Sequence, residues 1–280
     1  MTTAVGPREH TAEARGLSFH YVEWGEATAP PVVLLHGLSA MCRIWDRLAA
    51  ALQDRYRVIA LDQRGHGDTS WPAEPQYSTD DYVGDLEALV AMWGLDRFVL
   101  GGLSMGGMNA IAYTARHPEQ VSHLLSVDIR PSFNADKRPN RDQDRRTAEQ
   151  GHPILPSLDA AFIARKLTHP QTPDSSVRHH VQHQLKQLPD GGWTFKQDPR
   201  VSYYWRPSDL WADLPKIDVP VLIVRGGQSP VLPADIAERM RGAFPKAELV
   251  TIEEAGHTVP EDRPEEFIAA VESFLARYPS

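Results

Sequence analysis

Residues 98–106 read FVLGGLSMG, and the fold turns on how this stretch is parsed. An apolar run, Phe98–Gly101, leads into a G-x-S-x-G pentapeptide, Gly102–Gly106. A helical pattern follows from Met105 to Arg116 and is stopped by His117-Pro118. A serine hydroxyl is a poor nucleophile until something positions it and takes its proton. A tight strand-to-helix turn does the positioning. It strains the backbone at the serine, demands small residues two positions to either side, and leaves the hydroxyl at the positive end of a helix. Average composition produces such a pentapeptide by chance in roughly one chain in ten of this size, so the flanking strand and helix carry the inference. Ser104 is the candidate nucleophile. The competing reading is a glycine-rich turn that packs a helix closely on a sheet.

The same alternation runs along most of the chain. Apolar runs at Pro31–Leu35, Arg57–Leu61, Val121–Ile129 and Val219–Val224 read as buried strands, with a shorter one near Glu248–Ile252. Helical patterns fall around Trp45–Leu52, from Thr79 to Met92, near Pro233–Phe244 and from Pro264 to Tyr278. Thr79 is the expected N-cap of its helix, with Asp80 and Asp81 favourable in the first turn. Short apolar strands alternating with helices predict an α/β fold, a mostly parallel sheet covered on both faces. The pattern breaks between Pro131 and Pro215. That stretch holds 10 of the 23 prolines and no buried-strand run, and its charge is +2 while the rest of the chain stands at −10. The expected organisation is a core of residues 1–130 and 216–280 with a mainly helical lid at 131–215. A solvated surface excursion is the plainer alternative for the insertion.

Composition excludes several classes. With 29 basic and 37 acidic residues the net charge is −8, the wrong sign for a non-specific nucleic-acid or anionic-membrane binder. The single cysteine, Cys42, cannot form an internal disulfide or a cysteine zinc cluster. No apolar run approaches the ~18 residues of a membrane span, and the first residues, MTTAVGPREH, do not read as a secretory signal. The expected compartment is the cytosol. No spacing suggests a metal or organic cofactor, and oligomeric state is not legible.

Three further motifs stand in order around the elbow: His36-Gly37 after the strand PVVLL, DQRGHGDTS at Asp62–Ser70, and AGHTVPEDRPEEF at Ala255–Phe267. With these the chain resembles the α/β-hydrolase family over most of its length outside the lid. The resemblance implies an oxyanion loop at His36-Gly37, with backbone N–H donors from Leu38 and Met105; Ser39 is a candidate for a further hydroxyl, a solvated loop serine being its plainer reading. It implies that His257 is the general base, following the last strand in the order nucleophile, acid, histidine. The other histidines, His66, His179, His180 and His183 among them, read as structural or solvent-facing.

The acid departs from the family's commoner pattern. After VPVLIV the chain reads RGGQSP, Arg225–Pro230, with no carboxylate before Asp235. The family's other location is the end of the strand after the nucleophile helix, where Ser126-Val127-Asp128 stands 24 residues beyond Ser104. Asp128 is therefore the expected partner of His257. Asp235, in the following helix, and Glu253 or Glu254, in a different turn, are its rivals.

A Ser–His–Asp triad implies acyl transfer to water through an acyl-enzyme, and a serine nucleophile excludes the aspartate-nucleophile branches of the family. Carboxylic esters, lactones and related acyl compounds are the expected small-molecule substrates. Arg130, Arg138 and Arg165 are candidate grips for a substrate carboxylate, and Tyr203, Tyr204 and Trp205 candidate walls of an apolar pocket; surface charge and lid packing are the plainer readings of each. The triad layout is also similar to that of 2-(acetamidomethylene)succinate hydrolases, which cut an amide in a dicarboxylate. A cofactor-free haloperoxidase or perhydrolase and a ligand-binding receptor are the remaining alternatives.

Overall fold

The valines and leucines of each buried run divide by parity. In the strand Pro31–Leu35, Val33 and Leu35 join one apolar cluster while Val32 and Leu34 join another. In Val221–Gly226, Val221 and Ile223 go one way and Leu222 and Val224 the other. Successive side chains of a strand point to opposite faces, so a run that is apolar at both parities requires cover on both sides. The structure is a computed structural model that describes residues 6–137 and 139–278.

Its strands and helices, in chain order, are β1 (Arg8–Ala14), β2 (Leu17–Trp24), β3 (Pro31–Leu35), α1 (Asp46–Leu52), β4 (Arg57–Leu61), α2 (Thr79–Trp93), β5 (Phe98–Leu103), α3 (Met105–Arg116) and β6 (Val121–Val127). Then come α4 (Arg141–Gln150), α5 (Leu158–Thr168), α6 (Asp174–Gln184), β7 (Leu185–Gln187), β8 (Trp193–Phe195) and α7 (Val201–Tyr204). The chain closes with β9 (Val221–Gly226), α8 (Ala234–Ala243), β10 (Ala247–Ile252), α9 (Val259–Asp262) and α10 (Pro264–Arg277). Eight strands form one sheet in the order β1-β2-β4-β3-β5-β6-β9-β10, parallel from β4 to β10 with an antiparallel β1–β2 hairpin at one edge. Helices α2, α3 and α8 pack on one face and α1 and α10 on the other. This is the α/β-hydrolase arrangement, and it brings the carboxyl ends of β3, β5, β6 and β9 to one rim.

Sequence reading places the central strands within two residues and misses the edge hairpin. β1 reads REHTAEA, too polar to register as a buried run, and is held by its pairing to β2. Its two-residue turn, Arg15-Gly16, takes positive φ at both positions, the geometry that matches strand twist. The cap of α2 is also corrected by one residue. Ser78 is extended and accepts from the Asp81 N–H while the Asp81 carboxylate accepts from Ser78, a reciprocal capping box. Thr79 is helical instead, and its hydroxyl accepts from the Ser208 N–H at 2.9 Å.

Between β6 and β9 the chain leaves the sheet and forms the inserted helical region. Alongside its helices stands a small β7–β8 hairpin that no apolar run announces. Ala161, Val177, Val181 and Leu185 form a separate apolar cluster there, with Phe162, Trp193 and Phe195 packed against it. α4 buries no residue at all, in keeping with its RDQDRR composition.

Candidate active site

Ser104 sits between β5 and α3 with φ 53° and ψ −119°, a backbone conformation that side-chain-bearing residues rarely adopt. Two glycines permit the turn. A Cβ on Gly102 would come within 2.3 Å of Gly106 backbone atoms, and one on Gly106 within 2.3 Å of the Leu35 carbonyl oxygen. The G-x-S-x-G spacing thus reflects two close backbone approaches. The Ser104 N–H donates to the Val127 carbonyl at 3.0 Å, tying the elbow to the end of β6.

Asp128 follows directly. It is fully buried, with φ 44°, and its N–H donates to the Val224 carbonyl at 2.7 Å. Its carboxylate is held by three donors: the Gly226 N–H on Oδ1 at 2.9 Å, the Ser229 hydroxyl on Oδ2 at 2.5 Å, and His257 Nδ1 on Oδ2 at 2.7 Å. The rival Asp235 lies in the first turn of α8. The loop RGGQSP, which lacks the commoner acid, thus supplies two donors to an acid carried by the neighbouring strand. Sequence reasoning identified the missing carboxylate there but not this role. The available signal was a hydroxyl residue three positions past the strand end.

Ser104 and His257 open on one cavity of about 270 Å³, whose wall also includes Leu38, Ser39, Met108, Ile129, Phe133 and Trp205. Of the four non-glycine residues with positive φ among those described, Ser39, Ser104 and Asp128 lie on or directly behind this cavity. Backbone strain concentrated in this way marks a site held by its surroundings.

The loop after β3 lies against the serine, since a Cβ on Gly37 would be 3.2 Å from the Ser104 Cβ. Neither the Leu38 nor the Met105 N–H donates to a protein acceptor among the described residues. His36 fixes the loop: its Nε2 accepts from the Gln63 N–H at 3.0 Å, so Nδ1 carries the proton and donates to the Gly37 carbonyl at 2.8 Å. Complete burial pushes its pKa down, which keeps the ring neutral. Gln63 also donates to the His36 carbonyl and is itself held by Asn109.

Asp62 anchors the D-x-R-G-x-G loop behind this. It accepts from Cys42 N–H at 2.7 Å, His20 Nδ1 at 2.7 Å and Asp68 N–H at 3.0 Å. Burial alone would raise its pKa, but the hydrogen bond and charge of His20 and the Cys42 N–H outweigh burial and hold it at about 2. A folded pKa of about 2, below the ordinary 3.8, contributes stability that is fully present above the unfolded value and lost as pH falls through the folded one. Asp62→Asn is expected to remove about 2 kcal/mol of stability at pH 7 and to flatten the acid limb of a urea-denaturation series run from pH 7 to 2.

The proposed substrate residues are not gathered in one place. Arg130 and Trp205 line the cavity, but Arg130 donates to the Val231 and Pro230 carbonyls at 2.7 and 3.1 Å and so braces the loop that carries Ser229. Arg165 pairs with Glu261 at 2.9 Å and lines a separate cavity in the inserted region. Tyr203 carries the Arg141 guanidinium over its ring at 3.9 Å, Tyr204 is exposed, and neither is among the residues lining the cavity at Ser104. Arg138 lies outside the described residues. His180, read as structural or solvent-facing, is buried against Glu261 at 2.7 Å.

Residues 30–264 match the family model described as alpha/beta hydrolase fold. The esterase Rv0045c of Mycobacterium tuberculosis is 28% identical over 96% of this chain and 90% of its own length. The sn-1-specific diacylglycerol lipase ABHD11 of Mus musculus is 30% identical over 93% of this chain and 85% of its own. Among solved structures, E-2-(acetamidomethylene)succinate hydrolase superposes with a TM-score of 0.85 at 24% identity over 96% of this chain and 99% of its own, a likeness of fold. No helix among the described residues is long and apolar enough to cross a membrane. On its motifs, its topology and these matches, the chain belongs to the α/β-hydrolase fold family.

Proposed function

We propose that the protein is a serine hydrolase that cleaves a small carboxylic ester, lactone or related acyl bond. The observation that carries this reading is the convergence of Ser104 and a carboxylate-bonded His257 on one cavity. In the proposed course, His257 Nε2 takes the Ser104 proton as Oγ attacks the acyl carbonyl. Asp128, held by Gly226 and Ser229, keeps the Nδ1 proton in place and steadies the imidazolium. The Leu38 and Met105 N–H groups receive the developing oxyanion, as fixed donors that need no reorganisation. His257 then protonates the leaving group and activates the water that releases the acid.

Size and lining favour a small, largely apolar ester. The cavity of about 270 Å³ lies just below the usual range of ligand sites, which starts at about 300 Å³, and is walled mainly by aliphatic and aromatic side chains. Arg130 is its one lining cation among the described residues, and the backbone carbonyls already engage two of its nitrogens. That arrangement disfavours the acylated-dicarboxylate amide, which calls for a free bidentate grip. Curated esterases among the relatives agree with the ester reading.

Intact mass after exposure to a small fluorophosphonate tests the proposal. A single adduct on the wild type, absent from Ser104→Ala, is the expected result, followed by turnover of short p-nitrophenyl esters. Folded protein that takes no adduct would sink the hydrolase reading and leave a receptor. Peroxide-dependent halogenation without ester turnover would replace it with the haloperoxidase.

A further inference from the structure

Outside the catalytic cavity, α6 turns two histidines toward the core. His179 and His183 stand four residues apart on one face, with ring centroids 4.6 Å apart. Facing them is Asp46, the first residue of α1, whose Oδ2 lies 3.1 Å from His179 Nε2. One ligand atom from each of the three comes within 4.8 Å of the others. Histidines at i and i+4 with a third ligand from another element form a recurrent transition-metal arrangement. Asp46 Oδ1 is buried without a hydrogen-bond partner among the described residues, which leaves it open to a ligand. A cavity of about 180 Å³ opens against Asp46 and His179, with Arg43 also in its wall, and so exposes two of the three side chains to solvent.

We propose that Asp46, His179 and His183 bind one divalent transition-metal ion of the zinc class. Two imidazoles and a carboxylate suit zinc, copper or nickel and leave a position for water. A tetrahedral shell with bonds of ~2.1 Å needs ligand atoms ~3.4 Å apart, so the three partly buried side chains must turn toward one another to bind the ion.

The buried group His20, Cys42 and Asp62 is the other cluster of this kind among the described residues. There both Asp62 oxygens accept protein hydrogen bonds, whereas at the proposed site one contact must be given up, that of His179 Nε2 with the Arg43 carbonyl at 3.2 Å. Arg47 stands in the same cavity wall, and the charge paired with Asp46 is Arg43, whose Nε lies 3.3 Å from Oδ2. It competes with a cation for Asp46, which holds affinity below that of a dedicated structural site.

The ion would join α1 of the core to α6 of the inserted region. α6 already touches the surroundings of the catalytic cavity: Gln184 donates to the Ser39 carbonyl at 2.6 Å, and His180 pairs with Glu261 in α9, just after His257. Metal occupancy would therefore fix the helix that supports both segments. The site stands independently of the proposed hydrolysis.

Zinc titration of the full chain by calorimetry, paired with thermal unfolding, tests it. One ion per chain is expected, and saturating zinc should raise Tm by roughly 5 °C or more. His179→Ala and His183→Ala should each weaken binding by at least ~10-fold and cancel the Tm rise. His20→Asn should leave binding unchanged. Arg43→Gln should tighten it several-fold, a gain that a damaged fold does not mimic. Absence of stoichiometric zinc binding to the wild type, or binding of full strength in His183→Ala, would overturn the proposal.

Discussion

Asp128→Asn is expected to lower kcat/KM on a short ester by about four orders of magnitude while the protein stays folded. The size follows from the proton pattern around the side chain. Oδ2 accepts from His257 Nδ1 and from the Ser229 hydroxyl, and Oδ1 accepts from the Gly226 N–H, so every surrounding group is a donor. An amide placed here must turn its NH2 toward one of them. Facing His257, it forces the proton from Nδ1 to Nε2, and the ring then has no lone pair for Ser104. Facing Gly226, it sets a donor against a fixed backbone donor in a buried site, which costs stability. Asp235→Asn, in the first turn of α8, should leave turnover nearly unchanged. A steady-state comparison of the two variants decides where the acid lies, and equal activity of Asp128→Asn and wild type would return it to another residue. Ser229→Ala should fall between them, since it removes one of two donors on Oδ2 and leaves the His257 contact in place.

The fold and much of this site could be read from sequence because both depend on local backbone chemistry. The elbow glycines are fixed by approaches of 2.3 Å that exclude a Cβ, and the parity of VVLL in β3 records cover on both faces of the sheet. The contact of Asp128 with His257 was legible from a position at a strand end together with the absence of a carboxylate in RGGQSP. What could not be read depends on tertiary approach. β1 is polar along its length and is a strand only through its ladder to β2. Ser229 gains its part because β6 and β9 are neighbours in the sheet, which the intervening insertion hides. Arg130 and Arg165 look alike as cations at and within the insertion, yet one is drawn to backbone carbonyls and the other to Glu261. Asp46 and His179 are 133 residues apart, so no spacing rule pairs them.

Removing Ser104 and His257 together should cost no more than removing Ser104 alone. If the two act as one nucleophilic unit, Ser104→Ala already eliminates the acyl-enzyme route, a loss of about six orders of magnitude in kcat, and the imidazole then has no proton to take. His257→Ala should approach the same floor, because a hydroxyl without its base is a weak nucleophile at neutral pH. The residual rate over water in all three variants would come from the Leu38 and Met105 donors and from binding in the cavity, neither of which these substitutions touch. Independent contributions would instead multiply, putting the double variant far below either single one. The comparison needs one ester, one pH and enzyme levels high enough to read the floor. Near-equality of the three rates supports a single unit built across the ends of β5, β6 and the loop after β10, whereas multiplicative losses would mean that His257 serves the reaction by some route other than the Ser104 proton.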